Sequence, residues 1–386
     1  MRIGFDARYA TEHFPGIGRY TIGLARALAE ISHGHTLVLI VDPRQLRESR
    51  YDLAAIAAMP GVETAHLAAG PFSFKQHVAL PSLARRLGLD VLHSPYVVKP
   101  YLGLPCPSVV TVYDLIGWRY PRTLSARGRL FYRLTMDLAL RTATRILTIS
   151  ESSRADLAYV YPRAASRLVV TPLAAERRFQ PQPAEVIAQV RQRYALPNDY
   201  VLYVGSQKAH KNLERLVRAW ERMLEFEARQ TPGAWTLVLA GHAERGQTSL
   251  HQFVKQRGLA DRVRFVPNVA DEDLPALYSG ATVFAFPSYY EGFGLPPLEA
   301  MACGVPVICA YASSLPEVVG EAALTVDPFN VIEMAEGLWR LLNNPLLRRD
   351  LAARGARRAR DFSWRRTALG TLRVYEGLAG PAHSSV

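Results

Sequence analysis

Short, almost uninterrupted apolar runs rich in β-branched and aromatic residues alternate with helical stretches along the whole chain. That is the pattern of parallel strands buried on both faces. In the first half, residues 2–7, Thr36–Val41, Val62–His66, Val91–His93, Ser108–Val112 and Arg145–Ile149 read as strands, and Leu24, Leu28 and Ile31 recur at helical spacing behind Pro15. The pattern then restarts, with strands at Tyr200–Val204, Thr236–Ala240, Val263–Val266, Val283–Phe286 and Pro306–Cys309. Leu338–Leu347 and Leu351–Tyr375 read as helices, and 380–386 as a disordered tail. Strands alternating with helices give α/β architecture, and the restart gives two doubly wound domains facing a central cleft, with ligands outside the carboxyl ends of the strands. The expected bounds are 1–185 and 186–360, near Pro181, Pro183 and Pro197, with 361–386 a C-terminal helix and tail packing back toward the first domain.

The length of 386 residues suits two cores better than one. No apolar run reaches the length of a membrane span, and Met1–Asp6 reads as a first strand rather than a signal peptide, so the expectation is a cytoplasmic protein. Cys106, Cys303 and Cys309 lack metal-ligand spacing and read as buried thiols. The net charge of +12 is uneven: residues 1–185 carry 23 Lys and Arg against 14 Asp and Glu, the remainder 23 against 20. A one-sided basic excess points to a polyanion, nucleic acid or anionic lipid, or to a merely solvated face.

The chemistry concentrates in Tyr290–Ala302. An apolar strand stops at Pro287, Gly292 and Gly294 let a loop turn tightly, and Pro296 or Pro297 suits the first turn of a helix. The product is a helix N-terminus with unpaired N–H groups, an anion site, bracketed by Glu291 in the loop and Glu299 in the first helical turn. A glycosidase would use two such carboxylates as acid and nucleophile, but the glycine loop between them argues for two clamps on one anionic ligand. Gly205-Ser206-Gln207-Lys208-Ala209-His210-Lys211-Asn212 follows a strand and opens a helix, and Lys211 is favoured over Lys208 as a phosphate contact. Gly16-Ile17-Gly18 resembles a dinucleotide fingerprint but has Thr21 at the third glycine, so turn and ligand contact stay equally open, and a nicotinamide enzyme is disfavoured. Asp271-Glu272-Asp273 reads as a helix N-cap rather than a metal ligand, and no catalytic metal is expected. Arg129, Arg133, Arg141 and Arg145, with Asp137 between them and Leu130, Phe131, Leu134 and Leu138 on other faces, form a basic amphipathic helix, either a membrane-surface element or a solvated one. Phe72, Phe74, Tyr96, Trp118 and Tyr120 form either a stacking wall for sugars or bases, or core edges.

The stretch from Glu291 to Glu299 resembles the Glu-x7-Glu motif of retaining glycosyltransferases of family GT4. Further landmarks follow in order: Gly16–Tyr20, Thr111-x-Tyr113-Asp114-Leu115, Thr148–Glu151, Gly205–Asn212 and Ala300–Val307. Ser313–Gly320 and Asp327-Pro328 look most like bacterial mannosyltransferases that build surface polysaccharides from GDP-mannose. The resemblance implies a GT-B fold of two Rossmann-like domains and a metal-independent hexosyltransferase. Its expected donor is a nucleotide sugar, GDP-mannose first and a UDP- or ADP-sugar as the alternative. Its acceptor would be a lipid-linked glycan or growing polysaccharide at the inner face of the membrane. Glu299 would then bind the ribose hydroxyls. The N–H groups of Phe293 to Leu295 with Lys211 would hold the diphosphate, and Gly16, Gly18, Gly205, Ser206, Lys208, Asn212 and Gly292 would complete the donor site. Glu291, Tyr113 and Asp114 would serve the reacting sugar. Tyr113 stands where the family usually carries histidine, Ser206 where many members carry arginine, and Pro172-Leu173-Ala174-Ala175 where a glycine-rich sequence is usual. The competing class, a basic nucleic-acid-binding protein, predicts salt-sensitive retention of RNA or DNA, although no recognition motif for it is evident.

Overall fold

The computed structural model describes residues 1–11, 15–32, 34–44, 51–121, 125–228, 235–241 and 249–378, so the expected tail 380–386 lies outside the described residues. Among these residues the strands, in chain order, are β1 (Arg2–Asp6), β2 (Thr36–Val41), β3 (Val62–His66), β4 (Val91–Ser94), β5 (Ser108–Val112), β6 (Arg145–Thr148), β7 (Leu168–Val170), β8 (Tyr200–Val204), β9 (Thr236–Ala240), β10 (Val263–Val266), β11 (Val283–Phe286), β12 (Val307–Ala310) and β13 (Leu324–Val326). They form two sheets, ordered β3-β2-β1-β4-β5-β6-β7 and β10-β9-β8-β11-β12-β13. Every pairing is parallel. The two sheets therefore repeat one Rossmann-like topology. In each, the order reverses beside the first strand, between β1 and β4 and between β8 and β11, and the loops leaving those strands diverge into a crevice.

The chain divides into two compact units, Met1–Leu173 with the C-terminal segment from Ser363, and Ala174–Phe362. The division falls ahead of the proline-rich stretch because Phe179 already belongs to the second core, its ring 5.9 Å from that of Tyr278. β7 and β13, which the hydrophobic pattern does not pick out, are three-residue strands at the edges of the two sheets. The region expected as one helix over Leu351–Tyr375 is two, Pro345–Ala359 and Trp364–Glu376. Ser363 accepts from the N–H of Arg366 and starts the second helix afresh.

In the first unit β1 ends at Asp6 because its side chain caps the 3-10 turn Ala7–Tyr9. Asp6 and Arg8 form a fully buried bidentate pair at 2.6 and 2.7 Å, and Arg8 also donates to the Ala69 carbonyl at 2.6 Å and to Gln76 Oε1 at 3.1 Å. The helix Trp364–Glu376 packs on the helix Pro15–Ile31, where a Cβ on Gly23 would meet the Trp364 ring at 2.5 Å. His93 on β4 joins the two: Nδ1 meets Tyr375 Oη at 2.5 Å, and Nε2 meets Thr111 Oγ1 at 2.8 Å, which in turn meets Tyr20 Oη at 2.8 Å. Burial pushes the His93 pKa down from 6.5 to about 3, so the ring is neutral in the folded protein. Burial raises the thiols of Cys303 and Cys309 to about 12 and that of Cys106, only half-buried, to about 11.

Two outcomes follow. Below its ordinary pKa of 6.5 the unfolded His93 takes up a proton that the folded ring refuses until about pH 3. Stability is therefore intact above that range and falls by about 1.4 kcal/mol per pH unit as pH drops through it. Urea midpoints at pH 7, 6 and 5 should decline along this line, and His93→Gln should flatten it for the first unit; an unchanged slope would contradict a buried neutral imidazole. In the second unit Gly241, with φ +130°, lies so close to Gly205 that a Cβ would come within 2.2 Å of the Gly205 carbonyl oxygen. Since backbone meets backbone there, Gly241→Ala should lower stability by roughly 2 kcal/mol or more, read as a depressed thermal midpoint.

Candidate active site in the second unit

The loops leaving β8 and β11 flank the crevice of the second sheet, and each carries one of the charges singled out in the sequence. Gly205 ends β8 with its N–H on the Ala240 carbonyl at 3.0 Å and φ +153°, and Tyr203 Oη donates to the Ser206 carbonyl at 2.7 Å to fold the loop back. Lys208 is exposed, whereas Lys211 lies in the 3-10 turn Ala209–Lys211 and is mostly buried. From the β11 side Glu291 meets it: Lys211 Nζ donates to Glu291 Oε1 at 2.5 Å, each side chain only 14% exposed, and the ammonium sits 5.2 Å from the Phe286 ring centroid. The structure thus brings Lys211 and Glu291 together as an ion pair between the loops of neighbouring strands.

The glycine loop is held from a third strand end. After β12, Ser313 Oγ donates to the Glu291 carbonyl at 2.7 Å and accepts from the Glu291 N–H at 3.3 Å, and Ser314 Oγ lies 2.6 Å from the Phe293 carbonyl. Ser313 itself has φ +54°. Gly294, at φ +118°, caps the helix Leu295–Ala302, with Pro296 and Pro297 in the first turn, where no N–H is needed. The amide N–H groups of Phe293, Gly294 and Leu295 donate to no protein acceptor among the described residues. They form the positive end of a helix dipole, suited to an anion.

Glu299 is the fifth residue of this helix, not part of its first turn, because Gly294 sets the start at Leu295. It is 3% exposed and accepts from Tyr278 Oη at 3.0 Å. Asn212 is buried and in the left-handed region at φ +62°. Its Nδ2 donates to the Pro287 carbonyl at 3.1 Å and the Pro328 carbonyl at 2.7 Å, so it ties three loops together rather than presenting a side chain to a ligand. His210, packed beside Lys211, has its pKa lowered to about 4, by burial first and then by the lysine charge. A depression of about 350 Å³ lined by Tyr311, Thr325, Asp327 and Glu333 opens at the ends of β12 and β13, and none of the residues above lines it. Asp273 stands at the N-cap of the helix Leu274–Ser279, yet its side chain does not cap. It is drawn instead to Arg193 Nη1 and Tyr194 Oη, each at 2.7 Å.

The remaining candidates belong to the first unit. Gly18 is buried, and a Cβ there would meet Tyr51 Oη at 2.5 Å and the Thr11 carbonyl at 2.9 Å, which is a packing reason for glycine; Gly16 faces open space. Tyr113 donates from Oη to the Pro95 carbonyl at 2.7 Å and stands edge-on to Tyr20 at 5.2 Å, and burial raises its pKa well above the ordinary tyrosine value. Asp114 accepts from the Ile116 N–H at 2.8 Å and starts the short helix Ile116–Arg119. The residues that sequence reasoning missed are Tyr278 and Gly241, while Ser313 and Ser314 enter it only as part of a family-like stretch, with no contact assigned to them. Only Gly241, a lone glycine directly after an apolar strand, carries a signal a reader of the sequence could have used.

Residues 15–176 match the family described as Glycosyltransferase Family 4, and residues 188–358 the one described as Glycosyl transferases group 1. The chain is 31% identical over 391 residues to an O-antigen chain mannosyltransferase B of Escherichia coli, covering 97% of this chain and 100% of that one. It is 29% identical to an MMP alpha-(1->4)-mannosyltransferase of Mycolicibacterium hassiacum, covering 97% and 98%. Among solved structures, a sucrose-phosphate synthase of Thermosynechococcus elongatus superposes with a TM-score of 0.75 at 25% identity, covering 98% of this chain and 99% of that one. WaaG, a glycosyltransferase involved in lipopolysaccharide biosynthesis, shares the fold with a TM-score of 0.68 at 16% identity, covering 98% and 100%. With motif, topology and relatives in agreement, the chain belongs to the GT4 family of glycosyltransferases and has the GT-B fold.

Proposed function

We propose that this glycosyltransferase moves mannose from GDP-mannose, with retention and without a metal ion, onto a lipid-linked glycan or growing polysaccharide on the cytoplasmic side of a membrane. The observation that carries the reading is the Lys211–Glu291 pair set beside three undonated N–H groups at the start of the helix Leu295–Ala302. A leaving nucleoside diphosphate needs such a combination of cation and aligned N–H dipoles, because negative charge grows on the β-phosphate as the glycosidic bond lengthens. Lys211 uses one of its three N–H donors on Glu291, so two remain for phosphate oxygens. Glu291, aimed by Lys211, accepts from hydroxyls of the transferred sugar, and Glu299 accepts from the ribose hydroxyls. The acceptor hydroxyl attacks the anomeric carbon from the face the diphosphate leaves. Its proton passes to the departing phosphate oxygen as the new C–O bond forms and the old one breaks.

Mannose is supported by the names of the relatives, an O-antigen chain mannosyltransferase and an MMP alpha-mannosyltransferase. A UDP-sugar is the second reading. It is favoured by a UDP- and glucose-bound structure of Anabaena HepE at a TM-score of 0.71, although at 20% identity that likeness concerns the fold alone.

A thermal-shift screen of nucleotide sugars in EDTA tests the donor: GDP-mannose should raise the midpoint and UDP- and ADP-sugars should not. Protection by a UDP-sugar alone would replace mannose with the second reading, and protection only after adding divalent metal would overturn metal independence. Glu299→Ala should weaken donor binding by about tenfold or more, whereas Glu291→Ala should mainly lower kcat. Because Tyr278 would lose its acceptor in Glu299→Ala, Glu299→Gln is the sharper probe. Its one amide oxygen can stay with Tyr278, while an NH2 donor replaces the second carboxylate oxygen offered to the ribose, so its binding should stay reduced while its melting temperature recovers. Unchanged kinetics in both alanine variants would sink the assignment.

A further inference from the structure

The helix Ala126–Thr142 has two apolar faces, and the core explains only one. Thr135, Met136, Ala139 and Leu140 are buried in the first unit. On the opposite side Leu130, Phe131 and Leu134 are 70%, 52% and 54% exposed, with Leu138 half-buried on the same stripe. An ordinary surface helix carries polar residues there. Arg127, Arg133 and Arg141 flank the stripe in exposed positions. The Arg133 guanidinium lies 4.6 Å over the Trp118 ring, which is itself 6.3 Å from Tyr161. Between Ile116 and Thr142 the sequence has six arginines against Asp137 alone, and Arg141 already pairs with that carboxylate at 2.9 Å.

We propose that this outward face of the helix Ala126–Thr142 is a docking surface for an anionic lipid bilayer. Leu130, Phe131 and Leu134 enter the boundary between headgroups and acyl chains. The arginines reach lipid phosphates while their stems lie along the apolar stripe, and Trp118 sits at headgroup level. A second copy of the chain fits less well, since a two-fold contact through this face sets arginines against arginines. A nucleic acid satisfies the charges but leaves the leucines and the phenylalanine in water. The inference rests on the lipid-linked acceptor proposed above only for its place in the reaction, because binding to lipid is measured without donor or acceptor.

The test is flotation of the full chain with vesicles of phosphatidylglycerol and phosphatidylcholine, and of phosphatidylcholine alone. Binding is expected to the anionic vesicles at low salt, to weaken severalfold at 0.5 M salt, and to fall by about tenfold in Leu130→Glu/Leu134→Glu. Arg127→Gln should cause a smaller loss with the apolar stripe intact. Both leucines are exposed, so the double variant should keep the wild-type melting temperature and its activity on a soluble glycan acceptor. Absence of flotation at low salt, equal flotation of the double variant, or a dimer that the double variant dissociates would each overturn the proposal. Activity on a soluble acceptor without flotation would remove the docking surface and leave the transferase reading standing.

Discussion

Everything in the second unit's crevice depends on holding a lysine and a glutamate 2.5 Å apart at the point where the strand order reverses. β8 and β11 are adjacent and parallel, so their loops leave side by side, and Lys211 and Glu291 are presented from opposite banks. A largely buried ion pair adds little net stability, since desolvating both charges offsets most of their attraction. Its value is positional. Each group fixes the other's rotamer, while contacts from Ser313, Ser314 and Asn212 hold the peptide groups on either side of the pair. Such a site is preorganised for the proposed diphosphate and sugar, with no rearrangement needed as charge develops.

The fold was readable because parallel strands buried on both faces need continuous apolar runs; most of the strands above announce themselves that way, and the edge strands β3 and β10, which carry charged residues, by their β-branched positions. β7 and β13 do not, because an edge strand pairs on one side only and three residues suffice. At the site, local grammar was enough for Gly294, Pro296 and Pro297, whose backbone requirements belong to their own positions. It was enough for Glu291 and Lys211 as individual charges, but not for their direct contact across 80 residues. The contacts of Ser313 and Ser314 were invisible for the same reason: a stretch that resembles a family says nothing of what its serines hold until the Glu291 loop lies over them. Asp273 shows the reverse error. A local rule named it a cap, and Arg193 and Tyr194, distant in sequence, outcompeted the backbone for its carboxylate.

The two sheets can be compared at one point, since in both the strand order reverses beside the first strand. At the end of β1, among the described residues, Asp6 is matched by Arg8, which also donates to the Ala69 carbonyl and to Gln76, with the three side chains fully buried. At the ends of β8 and β11, among the described residues, the Phe293, Gly294 and Leu295 N–H groups are left without protein acceptors beside a lysine with donors to spare. A crevice that closes its own hydrogen bonds is a structural joint, and one that keeps donors open is built for an anion. The glycines divide in the same way. Gly18 is demanded by close packing against Tyr51 and Thr11, whereas Gly294 is demanded by the backbone that aims those donors outward. The open donors and spare lysine protons of the second unit suit the proposed anionic donor on physical grounds that do not depend on any motif.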